Sequence, residues 1–135
     1  MRIVWKHLPL DIHPAAPGAH LASAAAQQQG KFWEFHDKLF ADQRNLNMEA
    51  YKGHARELGL DMERFEKDLV SAELKKLVDA DKAEAGSLEV TGTPGFFING
   101  RFLSGARPFE AFAAVINEEL EKKGLTVPEE AGSQV

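Results

Sequence analysis

The hydrophobic periodicity of the chain constrains its fold more than any other sequence feature. Residues 18–86 carry an almost entirely helical pattern. The clearest helix is predicted over residues 31–42, where Phe32, Phe35 and Leu39 recur at the spacing that places them on one helix face. A block of consecutive helices is therefore expected to fill most of the first two thirds of the chain.

Capping residues divide this block into several helices. Asn47 is placed to cap a helix through Leu58, and Asp61 is placed to cap the next, which continues to about Ala85. Both side chains can accept a hydrogen bond from the free N–H groups of a first helical turn. Gly86 is expected to end the last helix, because glycine adopts the left-handed conformation common at such ends.

Residues 95–123 have the pattern of a β-hairpin plus a closing helix. Asn99 and Gly100 separate two short apolar strands, and this dipeptide tolerates positive φ at both positions, as a two-residue type I′ turn requires. Pro108 is predicted at the first position of the closing helix, where its missing N–H costs nothing.

The first residues of the chain complete the predicted fold. Residues 2–8 are predicted to form a strand, because they are rich in β-branched and aromatic types, and Pro9 would end it. A strand, a helical block, a hairpin and a helix, in that order, favour a single α/β layered domain over residues 1–123. Three short strands are few for the apolar surface of these helices. Residues 124–135 are predicted to be a mobile polar tail.

Composition excludes several classes of function. The chain has 135 residues, 44% hydrophobic and 27% charged, with a net charge of −5 that disfavours a nucleic-acid-binding surface. No run approaches the ~18 apolar residues of a membrane-spanning helix, so no membrane contact is expected. The chain contains no cysteine, which excludes an internal disulfide, a thiolate nucleophile and a cysteine-ligated metal. No cofactor is predicted.

Histidines are numerous near the N-terminus. His7, His13 and His20 fall within fourteen residues, and neutral imidazole is a common metal ligand. Their spacing matches no zinc signature, and no carboxylate completes a ligand set nearby in sequence, so no metal site is predicted. His36 lies on the apolar face of its helix and is predicted to be a core or boundary side chain.

Two acidic runs, residues 79–84 and 118–121, are predicted to be solvated helix faces. A paired-carboxylate hydrolase would need two such groups fixed across a cleft, which spacing along a helix does not establish. Residues 92–95 are not a phosphate-binding loop, because the glycine spacing and the lysine of such loops are missing.

A Thr–Pro pair precedes the predicted hairpin. The proline pushes Thr93 towards an extended conformation, and the Thr93–Pro94 bond is a candidate for a cis peptide, since only bonds before proline adopt that form at low cost. An isolated sequence of this kind usually marks an ordinary turn into a strand.

The wider sequence resembles a known family. The sequence VTGTPGFFING at residues 90–100 closely resembles the cis-proline loop and hairpin of the DsbA-like thioredoxin-fold family, which are thiol–disulfide oxidoreductases. Three other stretches agree in the family's order: WKHLPL at 5–10, QGKFWEFHDKLF at 29–40 and SGARPF at 104–109. The resemblance covers about residues 2–122 and implies a thioredoxin-like fold with a helical subdomain inserted at 18–86.

The departure from this family is as informative as the resemblance. In the family, a central strand runs into a Cys-x-x-Cys motif at the start of a helix, and both precede the strand that residues 2–8 resemble. That unit is absent here, so the resemblance implies an incomplete thioredoxin-like fold with no catalytic residue. The chain is expected to be the C-terminal portion of a DsbA-like oxidoreductase and redox-silent by itself.

The resemblance also implies partners. Gly92, Thr93 and Pro94 correspond to the loop that pairs with a peptide substrate in the family, so an alternative function is a non-catalytic module that binds peptides. The missing strand would expose the edges of the strands at residues 3–8 and 95–98. These edges are expected to pair directly, or a homodimer is expected to form by strand exchange. The family implies a bacterial, exported protein, although the sequence leaves the compartment unknown.

Overall fold

The computed structural model describes residues 1–128, and residues 129–135, most of the predicted polar tail, lie outside the described part. The chain divides into two units between Thr91 and Gly92. Unit 1 is residues 1–91 and unit 2 begins at residue 92. The expectation of a single domain over residues 1–123 stays a prediction.

Unit 1 is helical from residue 16 onwards, and its helices cover most of the block predicted at 18–86. No helix within residues 1–128 is both long enough and apolar enough to cross a membrane. The helices are α1 (Ala16–Gln27), α2 (Phe32–Ala41), α3 (Met48–Glu57), α4 (Met62–Leu69) and α5 (Ala72–Ser87).

Short-range hydrogen bonds set the helix starts. Asn47 and Asp61 cap α3 and α4 as predicted, each accepting a hydrogen bond of 3.0 Å from the backbone N–H three residues later. The single helix expected from Asp61 to Ala85 is wrong. The helix is interrupted at Val70. The Ser71 hydroxyl then accepts a hydrogen bond from the N–H of Leu74 in the first turn of α5. Serine favours such a cap over a helix interior because its hydroxyl competes for backbone groups.

The end of α5 also differs from the expectation. Gly86 lies inside the helix, which continues to Ser87, and Glu89 adopts the left-handed conformation with φ 58°. The N–H of Val90 then donates to the carbonyl of Ala85, which closes the helix end.

Helix α1 lies at the centre of unit 1 and contacts each of the other four helices. Its buried face consists of small residues, so the neighbouring helices can approach it closely. Around it, the fully buried rings of Phe35 and Phe65 lie 5.8 Å apart between centroids. Tyr51 of α3 completes the aromatic part of this core.

The strand predicted at residues 2–8 is wrong, because no strand forms there. A strand needs a hydrogen-bonded neighbour, and the sheet of the described chain contains only the two hairpin strands. The segment is instead held through its last residues. The N–H of His7 donates to a carboxylate oxygen of Asp81 at 3.0 Å, and the Trp5 ring packs on Phe32 with centroids 5.4 Å apart.

Unit 2 begins with the predicted hairpin. Strands β1 (Gly95–Ile98) and β2 (Arg101–Ser104) pair antiparallel, with Phe97 opposite Phe102. Asn99 and Gly100 have φ of 47° and 82°, which confirms the predicted turn with positive φ at both positions.

The closing helix α6 (Phe109–Lys122) starts one residue later than predicted. Pro108 is its N-cap residue, with φ −56° and ψ 150°, and so stands just outside the helix. Phe96 of β1 packs edge-on against Phe112 of α6, with centroids 4.7 Å apart. Arg101 of β2 forms ion pairs with two glutamates of α6, Glu118 and Glu119.

Candidate functional site

The predicted site at Gly92, Thr93 and Pro94 forms an exposed loop immediately before β1. The Thr93–Pro94 peptide bond is cis. The Pro94 carbonyl accepts a hydrogen bond of 2.8 Å from the N–H of Gly105, which ties the loop to the residue after β2. Within residues 1–128, the backbone groups of Gly92 and Thr93 make no hydrogen bond. The loop therefore has free backbone groups beside an ordered strand.

Unit 1 contains a cluster of aromatic and titratable side chains, which the sequence did not predict as a site. Aromatic and imidazole rings from the N-terminal segment, α1 and α2 pack together, mostly edge to face. We call this set the histidine–aromatic cluster. Its members are Trp5, His7, His20, Phe32, Trp33 and His36.

The shortest polar contact in the cluster joins two imidazoles. The Nδ1 atoms of His7 and His20 lie 2.9 Å apart, so one nitrogen donates a proton and the other accepts it. The indole N–H of Trp5, which can only donate, also points at His7 Nδ1 at 3.4 Å. His7 Nδ1 is therefore the acceptor, and His20 carries its proton on Nδ1.

Burial favours the neutral form of both imidazoles. His7 is only 6% exposed, and the loss of water around its ring lowers its pKa. The pKa of His20 is lowered to about 4, first by burial and then by the neighbouring His7. The carboxylate of Asp81 acts on both rings in the opposite direction but is outweighed.

Asp81 of α5 connects this cluster to the rest of unit 1. Besides accepting the His7 N–H, its carboxylate lies 3.5 Å from the ammonium of Lys6. Lys6 also contacts Glu84 at 3.0 Å, and the hydrogen bond to Glu84 is the first cause of its raised pKa. The Asp81 side chain is only 15% exposed, so the expectation that residues 79–84 form a uniformly solvated face is wrong at this position.

A cavity of about 370 Å³ opens beside the cluster. The N-terminal segment forms one wall, and Phe32, Trp33 and Leu77 provide apolar surface on the other side, with Asp81 also in the lining. A second depression, about 450 Å³, is lined by residues 40–45. The first cavity is the one lined by His7 and Asp81.

The structure brings together only some of the histidines that the sequence places close to one another. His7 and His20 meet, whereas His13 lies exposed in the loop before α1. His36 packs on Trp5 at the boundary of the core, with centroids 5.1 Å apart, close to the expectation for it. Within the described residues, no group of three or more histidines and carboxylates is arranged to hold a metal ion. The closely spaced histidines were the one feature of the sequence that pointed to this cluster. No feature of the sequence indicated that Asp81 contacts His7.

The mixed α/β chain, with its Thr–Pro loop leading into a hairpin, is a member of the DSBA-like thioredoxin domains, whose family model matches residues 1–117. Because the chain contains no cysteine, it lacks the Cys-x-x-Cys motif of the redox-active proteins of this type.

Curated relatives with high similarity are proteins named as antiporters. The chain is 43% identical over 119 residues to Na(+)/H(+) antiporter NhaA 1 of Salinispora arenicola, covering 86% of this chain and 18% of that protein. It is 38% identical over 143 residues to Na(+)/H(+) antiporter NhaA 3 of Salinispora tropica, covering 99% of this chain and 22% of that protein. Na(+)/H(+) antiporter NhaA of Herminiimonas arsenicoxydans is 40% identical over 129 residues, 96% and 20% of the two chains. The chain thus spans about a fifth of the length of these relatives.

The role of Asp81 in holding residues 5–7 can be tested by substitution. Asp81→Ala leaves the His7 N–H without its acceptor, and an unpartnered buried donor costs about 1–3 kcal/mol of unfolding free energy. Asp81→Asn retains an oxygen that can accept this hydrogen bond and is expected to cost less. Asp79→Ala is the matched control, because Asp79 is exposed on the same helix and, among residues 1–128, pairs only with exposed Lys75. Urea unfolding measures all three, and equal losses for Asp81→Ala and Asp79→Ala would contradict the assignment.

Proposed function

We propose that this chain is the C-terminal portion of a DsbA-like thiol–disulfide oxidoreductase and is redox-silent by itself. The observation that carries the proposal is a family match over residues 1–117 in a chain without cysteine. Attack on a disulfide requires a thiolate, which becomes one half of a mixed disulfide before a second thiol displaces it. The imidazoles of the histidine–aromatic cluster cannot replace either thiol in this exchange.

The arrangement of elements supports the finer part of the proposal, an incomplete thioredoxin-like fold with an inserted helical subdomain. Five consecutive helices separate the N-terminal segment from the hairpin, as an insertion at 18–86 would require. The described sheet has two strands, fewer than a complete fold of this kind would need, so the dithiol unit is expected from a polypeptide segment that precedes this one in a longer protein.

An insulin-reduction assay tests the redox part of the proposal. With dithiothreitol as reductant, adding this chain at increasing concentration is expected to leave the rate of insulin precipitation equal to that of dithiothreitol alone. A DsbA-like oxidoreductase with an intact Cys-x-x-Cys motif serves as the positive control. A rate that rises in proportion to the concentration of this chain would contradict the proposal.

The loop at Gly92, Thr93 and Pro94 is proposed to contact peptides without chemistry. Its exposure and the free backbone groups of Gly92 and Thr93 support this role, because an extended peptide adds to a strand through main-chain hydrogen bonds. The alternative partner, a second copy of the chain joined by strand exchange, stays a prediction.

Removing one backbone donor tests peptide contact. Thr93→Pro abolishes the N–H of residue 93 and is expected to weaken binding of reduced, alkylated insulin B chain, measured by isothermal titration. Thr93→Ala keeps that N–H and is expected to bind as the unchanged chain does. Thermal unfolding of both variants checks that the loop substitution leaves the fold intact. Equal affinities in two folded variants would argue against a main-chain contact at Thr93.

The relatives support a second proposal, that the chain is the DsbA-like part of a longer protein that also contains a sodium–proton antiporter. Between 86% and 99% of the chain aligns with about a fifth of each antiporter described above. The aligned region could therefore accompany an antiporter as a fused domain in this protein too.

An antibody raised against this chain tests the fusion in the cells that produce it. The expected immunoblot shows a product several times longer than 135 residues, sedimenting with the membranes. The same blot on cells from which the coding region has been deleted identifies cross-reacting bands. A 135-residue product alone, absent from the membrane fraction, would exclude the fusion.

A further inference from the structure

Residues 1–7 are held to the helices of unit 1 by contacts that converge on the histidine–aromatic cluster. Ile3 and Val4 are 68% and 59% exposed and contribute little to the attachment. The attachment depends instead on the ring of Trp5, on the backbone and ring of His7, and on the ion pairs of Lys6. Three adjacent residues therefore make the contacts that hold residues 1–7 against the helices.

The contact between His7 and His20 has room for only one proton between its two nitrogens. In the neutral pair, His20 donates to His7 Nδ1, and the Trp5 indole N–H points at the same atom. A proton added to His7 Nδ1 can stay only if His20 gives up its own Nδ1 proton and becomes the acceptor of the hydrogen bond. Trp5 then loses its acceptor. When both rings are protonated, two N–H groups oppose each other at 2.9 Å.

Charged and titratable groups face the pair from each element that surrounds it. Asp81 and Glu84 approach from α5. His36, which belongs to α2, lies beside Trp5. Lys6 and Arg2 belong to the segment itself. Asp81 favours protonation of both imidazoles, but burial prevails, so the pKa of His20 falls to about 4. The nearest carboxylate is thus insufficient to keep a charged pair in place.

The direction of the pH dependence follows from this shift. Well above pH ~6.5, His20 is neutral whether the segment is attached or released. Between pH ~6.5 and about 4, the solvated ring binds a proton and the buried ring does not, so attachment weakens as pH falls. The lowered pKa of His7 acts in the same direction.

We propose that residues 1–7 form an acid-released latch, which protonation of the His7–His20 pair detaches from α1, α2 and α5 while the five helices stay folded. The core of Phe35, Tyr51 and Phe65 contains no residue of the segment, so it can persist without the latch. Release uncovers the ring surface of Phe32 and Trp33 beside the 370 Å³ cavity. The chain thus presents an additional aromatic surface at acidic pH.

Fluorescence of Trp5 tests the latch in the full chain. Trp33→Phe leaves Trp5 as the single emitter, since the sequence contains two tryptophans. Between pH 6.5 and 4, quenching of Trp5 by neutral acrylamide is expected to increase and its emission to shift to the red, while far-UV circular dichroism stays constant. Protection of Trp5 down to pH 4, or exposure only together with loss of helical signal, would overturn the proposal.

Histidine substitutions in the same background identify the groups responsible. His7→Gln combined with His20→Gln is expected to abolish the acid transition, with Trp5 either protected or exposed at every pH. His13→Gln is the matched control and retains the transition, because His13 is exposed and outside the cluster. His36→Gln also retains it, which separates release from direct quenching by a neighbouring imidazolium. A transition with unchanged midpoint in the double variant would assign the effect elsewhere and refute the latch.

Discussion

The packing of helix α1 is the constraint on which the rest of unit 1 depends. All four other helices contact α1, and its buried residues are small, which allows their backbones to come close. A large side chain on this face would push at least one neighbour outward, since interiors packed at crystal density tolerate little extra volume. The same helix carries His20. The packing of α1 therefore also fixes where His20 meets His7 in the histidine–aromatic cluster.

Polar contacts then decide where the N-terminal segment lies. Its composition favours a strand, yet the backbone N–H of His7 is satisfied by a carboxylate of α5 rather than by a neighbouring strand. Buried donors need partners, and either solution meets that need. Burial lowers the pKa of both imidazoles, so His7 of the segment and His20 of α1 meet in a site where their charged forms are disfavoured.

Features set by a few neighbouring residues could be predicted, and features set by distant contacts could not. The caps at Asn47 and Asp61 and the turn at Asn99 and Gly100 involve bonds within three residues, so local chemistry was sufficient. The break before α5 was missed because the apolar spacing continues through it while Ser71 offers a competing cap. Of the candidate site, the Thr93–Pro94 loop was evident from its sequence, whereas the histidine–aromatic cluster required the fold.

The sequence by itself determined the family and the absence of thiol chemistry. Family membership depends on residue types in order along the chain, and a cysteine that is missing from the sequence cannot be supplied by any packing of it. Only the tertiary structure decided that Asp81 meets His7 across 74 residues and that His7 faces His20. Spacing carries no information about such pairs, because their distance depends on how α1 and α5 pack, and that packing is a property of the whole core.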